Sequence, residues 1–415
     1  MPLRAETDAG AVPPNAIAPH DVRFTGAGGE YFRVWIVNVL LTIVTLGIYT
    51  PWARRRTVQY FYGHTLLADS PFEFTAPLRR MVIGFLLFVA LYGAFELASN
   101  TGQDTAVSLM MVAAALLAPW LWGSAVRFRL GHTRWRGLRL QFQATWREIY
   151  SASWPVFAIA GIWIVVVFGM SALSPGAEPR VNPLPRLPTV TPAMWTLLLG
   201  GVAGAFLCLI RLEYNYKRLM VARTLIGTEA GRWKPVYRDF VRVWLAALGF
   251  FLLSAFVIAS LIVLAFVVGG GLNWPQAADF RGRAGGLGIL MFLLALFVVT
   301  LIALFLAITP ALAYREARVF HLLWNNIGVS GIARFRCDLR AGAFVWLRIR
   351  NTLLTLLTLG FYRPFARVAE HRMKAASVVL HVRGGLDTLV GSLNRQQQDG
   401  FGDALADAVG FDIIG

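Results

Sequence analysis

The chain has 415 residues, of which 57% are apolar and 15% charged, and its mean hydropathy is +0.59. A water-soluble fold of this length needs more charge to cover its surface, so the composition excludes a soluble globular protein. The net charge of +17 is strongly basic, yet the arginines gather beside apolar runs (Arg54-Arg55-Arg56, Arg79-Arg80, Arg315 with Arg318) without a nucleic-acid recognition motif. That placement reads as anchoring at the anionic inner face of a lipid bilayer, and no nucleic-acid partner is expected.

Residues 1–20, rich in Pro and Ala, read as a disordered lead without the apolar core of a cleavable signal peptide. Residues 21–383 read as one integral membrane domain and 384–415 as a C-terminal tail. Segments 79–98, 105–126, 152–172, 192–212, 241–269 and 286–313 are long and apolar enough to cross a hydrocarbon core of about 30 Å. Two further apolar segments differ. Segment 34–50 carries Asn38, and 351–362 is closed in by Arg348 and Arg350 before it and Arg363 after it. At about 1.5 Å per residue the second reaches under ~20 Å, so both read as short re-entrant or interfacial pieces. The expected fold is an all-α polytopic membrane protein with six full transmembrane helices plus these two segments. The alternative is eight spans.

The connections alternate. Segments 99–104, 173–191 and 270–285 are poorer in Lys and Arg, whereas 51–78, 127–151, 213–240 and 314–342 are dense in Arg, Trp and Tyr. The second set belongs on the cytoplasmic side, together with both chain ends. Trp35, Trp52, Trp120, Trp122, Trp154 and Trp244 fall near the expected interfaces, as an aromatic belt does. Gly201, Gly204 and Ala205 favour close helix packing.

Self-comparison is the most informative reading. Residues 38–54 (NVLLTIVTLGIYTPWAR) recur as 351–367 (NTLLTLLTLGFYRPFAR) at an offset of 313. The repeat reads as two equivalent packing wedges. The competing reading is a polar path lined by Asn38, Thr42, Thr45, Asn351, Thr355 and Thr358, with Gly47 and Gly360 as hinges. A shorter unit recurs in each Arg-rich segment, near 60–75, 128–143, 219–234 and 321–336. In each copy a hydroxyl or amide residue precedes an aromatic by nine positions, as Thr65 precedes Phe74, Thr133 precedes Phe142, Thr224 precedes Trp233 and Asn326 precedes Phe335. Turn formers lie between, namely Asp69-Ser70-Pro71, Arg136-Gly137, Gly227 with Gly231, and Ser330-Gly331. These read as four short β-hairpins on the cytoplasmic side, able to pair into one sheet with 22–24 and 378–382 extending its edges.

The runs FTGAGGEYF at 24–32, the 38–54 motif, YFYGHT at 60–65 and the related signatures at 322–367 resemble the YjgN-like bacterial inner-membrane family, domain of unknown function 898. The resemblance implies location in the bacterial inner membrane and implies little chemistry.

Catalytic constellations are missing from the sequence. His20, His64, His132, His321, His371 and His381 lack metal-ligand spacing, and His64 and His132 fall at a hairpin position that is Arg223 and Asn325 in the other units. There is no Walker loop, GxSxG or HExxH, so no enzyme, metal or cofactor is expected. Glu213 and Glu316, close in sequence to Arg211 and to Arg315 with Arg318, read as paired with these neighbours or facing the interface, with a proton or cation relay as the lesser reading; Glu96, without a basic neighbour in sequence, is the candidate intramembrane carboxylate. Arg54, Arg55, Arg56 and Arg367 read as headgroup-facing. Gly26-Ala27-Gly28-Gly29 reads as a tight turn onto the membrane. Cys208 and Cys337 allow at most one disulfide. Two functional readings follow. One is a transporter or channel-like protein for a small molecule, ion or lipid, and the other is a non-transporting scaffold or lipid-interacting protein with a basic cap.

Overall fold

The structure, a computed structural model, describes residues 17–174, 191–226, 229–268, 285–329, 333–383 and 390–391. The expected lead lies outside these residues up to position 16, and the expected tail lies outside them except at 390–391. The turn residues Gly227, Ser330 and Gly331 lie outside them as well.

Among the described residues six helices are long and apolar enough to cross a membrane. They are α3 (Leu78–Asn100), α4 (Asp104–Gly131), α6 (Trp154–Leu173), α7 (Pro192–Ala222), α8 (Tyr237–Val268) and α9 (Gly285–Asn326). Their large apolar side chains point outward, as with Leu86, Leu87 and Phe88 on α3. Apolar surface on this scale is untenable in water and is what lipid tails solvate. Small residues let the helices touch: a Cβ on Gly201 of α7 would lie 2.5 Å from Val166 of α6. A short helix, α5 (Trp146–Ala152), leads into α6. Thr145 and Glu148 cap it reciprocally, satisfying two of its free first-turn amides.

The two remaining apolar segments each form a helical hairpin. The first is α1 (Gly28–Val44), which turns back at 45–49 into α2 (Thr50–Gly63); the second is α10 (Ala341–Leu357), which turns back at 358–362 into α11 (Arg363–Ala376). Seventeen residues of α1 reach about 25 Å, short of a roughly 30 Å core, before the chain reverses. The six expected spans are present, and the two remaining segments fold as matching helical hairpins. What composition left out is the return helix. The apolar segment at 351–362 is only the far end of α10 and its turn, since α10 begins ten residues earlier at Ala341.

The strands correct the all-α expectation further. Four hairpins form: β2 (Thr65–Leu67) with β3 (Ser70–Phe74), β4 (Thr133–Trp135) with β5 (Leu138–Phe142), β6 (Thr224–Ile226) with β7 (Glu229–Ala230), and β8 (Gly328–Val329) with β9 (Ala333–Cys337). Two more strands, β1 (Ile17–Phe24) and β10 (Val378–Arg383), bring the sheet to ten strands in the order β7-β6-β5-β4-β3-β2-β1-β10-β9-β8. Thus β1 and β10 do not extend the edges. They pair with each other from Ile17↔Arg383 to Asp21↔Val379 and join the first hairpin to the fourth. Residues 17–20, expected in a disordered lead, are ordered by this pairing.

The sheet's ends also meet, because Arg232, just past β7, bridges to Gly328 of β8, its N–H donating to the Gly328 carbonyl at 3.1 Å. The ten antiparallel strands therefore form a ring in which β10·β1, contributed by opposite ends of the chain, takes the place of a fifth hairpin. Closure leaves few open backbone edges, which offsets the weakness of hairpin strands only two to five residues long. Side chains facing inward fill the ring. Leu67, Trp135, Leu138, Ala333, Leu380 and Val382 form one buried cluster, and Trp135 Nε1 donates to the Leu67 carbonyl at 3.2 Å. The centre of the ring is a packed core rather than a pore. All strands connect the same ends of the spans, so the ring lies at one end of the helices, with the α3–α4 turn at 101–103 at the other.

Candidate functional site

The helical hairpins α1–α2 and α10–α11 place the sequence-predicted residues at matching positions. Thr42 donates to the Asn38 carbonyl at 2.6 Å, and Thr355 to that of Asn351 at 2.6 Å. Asn38 Nδ2 reaches across to the Ala53 carbonyl at 3.4 Å, and Asn351 Nδ2 to that of Ala366 at 3.4 Å. Thr45 donates to Leu41 O at 2.7 Å and accepts from the Tyr49 amide at 3.0 Å; Thr358 does the same with Leu354 and Tyr362 at 2.7 and 3.0 Å. The hydroxyls thus satisfy backbone groups freed at the helix ends and pin each turn. The structure brings each trio together within its own hairpin. Among the described residues no hydrogen bond joins one trio to the other.

The turns are unusual. Gly47 and Gly360 have φ of +93° and +96°, where glycine is favoured, but each is preceded by a leucine in the left-handed region, Leu46 at +49° and Leu359 at +51°. That conformation costs roughly 1–2 kcal/mol for a side chain with a Cβ. Both leucines are almost fully exposed, at 93% and 90%. Val44 and Leu357 beside them are exposed as well, so each hairpin ends in an apolar tip.

The hairpins pack against each other through α1 and α11. Phe32 stacks on Phe365 at 5.6 Å between ring centroids. Arg367 donates to the buried Tyr31 hydroxyl at 3.3 Å, and Arg372 to the Gly26 carbonyl at 2.9 Å. A Cβ on Gly28 would lie 2.6 Å from the Phe365 ring, which is why the glycine-rich turn precedes α1. Arg54 and Arg56 are exposed on α2 and Arg55 is half-buried.

Sequence reasoning missed a charged network that ties α10–α11 to α9. Arg348 contacts Glu316 at 2.6 Å and Glu370 at 3.2 Å, while Lys374 also pairs with Glu316. Asn351 Nδ2 lies 3.3 Å from Glu370 Oε1. Burial pushes the Glu370 carboxyl above the usual carboxylate range, against the pull of Arg348. The available signal was the four-residue spacing of Glu370 and Lys374 on one face of α11. Local pairing also fails for Glu213. Glu213 pairs with Arg315 at 3.4 Å and accepts from Trp244 Nε1 at 2.6 Å, whereas Arg211 lies over the Tyr237 ring at 4.9 Å. Helical neighbours one or two apart do not face each other, so the partners come from other helices. Glu96 is half-buried toward the end of α3 remote from the ring. Both cysteines are free thiols.

The hairpin histidine position is structural. His64 Nδ1 lies 2.8 Å from Tyr60 O and His132 Nδ1 2.6 Å from Phe128 O. Asn325 clamps Cys337 through both its N–H and its carbonyl, at 2.8 and 2.9 Å. This shows where the fourth unit slips. Cys337, not Phe335, holds the register of Phe74 and Phe142: Phe74 pairs with Thr133 and Phe142 with Thr224, as Cys337 pairs with Val378.

Six apolar helices of spanning length, two helical hairpins and a strand ring at one end define a multi-pass membrane protein. The chain matches the family described as "Bacterial protein of unknown function (DUF898)" over residues 19–408 and belongs to it. It is 25% identical over 384 residues to the inner membrane protein YjgN of Salmonella typhimurium, covering 89% of this chain and 90% of that protein. It is 26% identical over 157 residues, 38% of each chain, to the YjgN protein of Escherichia coli O157:H7. No solved structure matches. The chain is a multi-pass protein of the bacterial inner membrane.

Proposed function

We propose that this chain is a lipid-interacting organiser of the inner membrane. In this reading the hairpins α1–α2 and α10–α11 wedge into the cytoplasmic leaflet, and the strand ring rests on the cytoplasmic surface among anionic headgroups. The observation that carries it is the pair of tips at Leu46 and Leu359. Each combines a strained left-handed backbone with a nearly fully exposed apolar side chain, an arrangement unfavourable in water and solvated by lipid. The arginine-rich connections on the ring side favour the cytoplasmic orientation. The recurrence of the hairpin bonds at an offset of 313 favours two copies of one unit acting in parallel.

The test places a fluorophore at position 46 or 359 of the full chain in nanodiscs. Quenching by lipids brominated in mid-chain is expected; quenching by aqueous iodide instead would refute the wedge. Leu46→Asn with Leu359→Asn removes the apolar tips, and Asn tolerates the left-handed backbone. That variant is expected to fold and to lose mid-chain contact.

One observation favours a transporter or channel-like reading. The Oδ1 atoms of Asn38 and Asn351 are both buried without a partner, at matching places in adjacent hairpins. Flux across proteoliposomes that disappears in Asn38→Leu with Asn351→Leu supports this reading, and flux that persists in that variant rules the two asparagines out.

A further inference from the structure

Beside the second hairpin, a cleft of about 680 Å³ opens between α8, α9, β9 and the start of α10. It holds Arg318 on α9, Arg336 on β9 and Arg340 at the head of α10. Only one carboxylate lines it, Asp338, and that group lies 3.4 Å from Arg336. Among the described residues Arg318 and Arg340 have no acidic partner, and all three arginines are exposed. The head of α10 adds to this field. Its N-cap, Arg340, makes no side-chain capping bond, and the first-turn residues Ala341 and Gly342 line the cleft.

The other wall is apolar. Phe250 of α8 packs on Tyr314 of α9 with ring centroids 4.7 Å apart. Arg318 lies one helical turn nearer the ring than Tyr314, with its guanidinium 5.6 Å from that ring. The cleft therefore runs from an aromatic pair level with the spans to three cations beside the strand ring. A soluble anion has use only for the cations. A phospholipid has use for both halves, since its phosphate takes charge-assisted bonds from guanidinium forks while its glycerol and first methylenes lie on Phe250 and Tyr314.

We infer that this cleft is a binding site for the phosphate headgroup of an anionic phospholipid. The inference rests on the lipid-interacting reading above and adds a discrete site to it. The full chain, in nanodiscs of phosphatidylcholine doped with cardiolipin or phosphatidylglycerol, is released for native mass spectrometry, and retained anionic lipid is measured by titration. Wild type is expected to retain the anionic lipid. Arg318→Gln with Arg340→Gln is expected to weaken retention at least about tenfold, because both guanidinium forks that would hold the phosphate are lost. Arg318→Lys with Arg340→Lys keeps the charge, loses the fork and should fall between. A control, Arg147→Gln with Arg218→Gln, removes equal charge from exposed positions outside the cleft and should stay within about twofold of wild type if the site is discrete.

Equal retention by wild type and the Arg318/Arg340 variant overturns the cleft while leaving the general lipid-interacting reading standing. No anionic lipid retained by wild type overturns both. Equal weakening in the Arg147/Arg218 control also overturns the cleft, since general surface charge would then explain binding. Displacement of the lipid by soluble glycerol phosphate would assign the cations to a soluble phosphate and overturn the lipid assignment.

Discussion

Asn351 Nδ2 lies 3.3 Å from Glu370 Oε1, and this contact separates two hairpins that otherwise share their hydrogen bonds. At the corresponding place in the first hairpin, Thr57 stands where Glu370 stands in the second, 313 residues on. The second hairpin is therefore tied through Glu370 and Arg348 to α9, whereas the first is held by the aromatic stack of Tyr31, Tyr60 and Phe61.

This asymmetry predicts unequal costs. Asn351→Leu strips a donor from a buried carboxylate as well as the link to Ala366, and should destabilise by about 1–3 kcal/mol. Asn38→Leu loses only the link to Ala53 and should cost about 1 kcal/mol less. Thermal unfolding of the two variants in one detergent checks the difference, and equal losses would refute it.

His371 should make stability pH-dependent. Burial, helped by the charge of Lys374, lowers its pKa to about 4, and its Nε2 sits 2.9 Å from the Thr65 hydroxyl. The folded state holds the ring neutral while the unfolded chain titrates near 6.5, so the unfolded state binds more protons between those values. The contribution is fully present above pH 6.5 and is lost as pH falls towards about 4, amounting to roughly 3 kcal/mol. His371→Gln should flatten the melting temperature across this window.

Gly47→Ala and Gly360→Ala force a Cβ into the left-handed region and should each cost about 1–2 kcal/mol, although nothing lies within 4 Å of either site. Gly29→Ala, in open space on α1 at a helical φ, is the matched control and should be neutral or slightly stabilising. Comparable losses at all three positions would show that space rather than backbone conformation decides.

The ring core should behave as a unit. Trp135→Ala empties its centre and removes the bond to the Leu67 carbonyl, costing about 3–5 kcal/mol. Limited proteolysis should then cut first in the strands of the ring and leave the spans intact. Early cuts in the α3–α4 or α6–α7 connections would argue against a ring that unfolds separately.

Much of the architecture was legible before any coordinates. The six spans follow from runs of apolar residues long enough to cross a bilayer, and the hairpins from turn formers between short strand-prone arms. The matching bonds of Thr45 and Thr358 follow from one motif repeated at 38–54 and 351–367. The partners of charged side chains were not legible. Glu316 was read with its neighbours Arg315 and Arg318 but pairs with Arg348 and Lys374, which lie on other helices. The fourth hairpin was read two residues short because Phe335 satisfied the aromatic spacing that the strand register assigns to Cys337.

The sequence by itself determined what the chain lies in and which pieces cross it, because lipid solvation and backbone hydrogen bonding act locally along each segment. Only the tertiary structure decided that β1 and β10 meet, that Arg232 reaches Gly328 and that three arginines from two helix ends and a strand face one cleft. Those relations join residues on separate elements of the fold, and no local preference records which partner completes a strand edge or balances a charge.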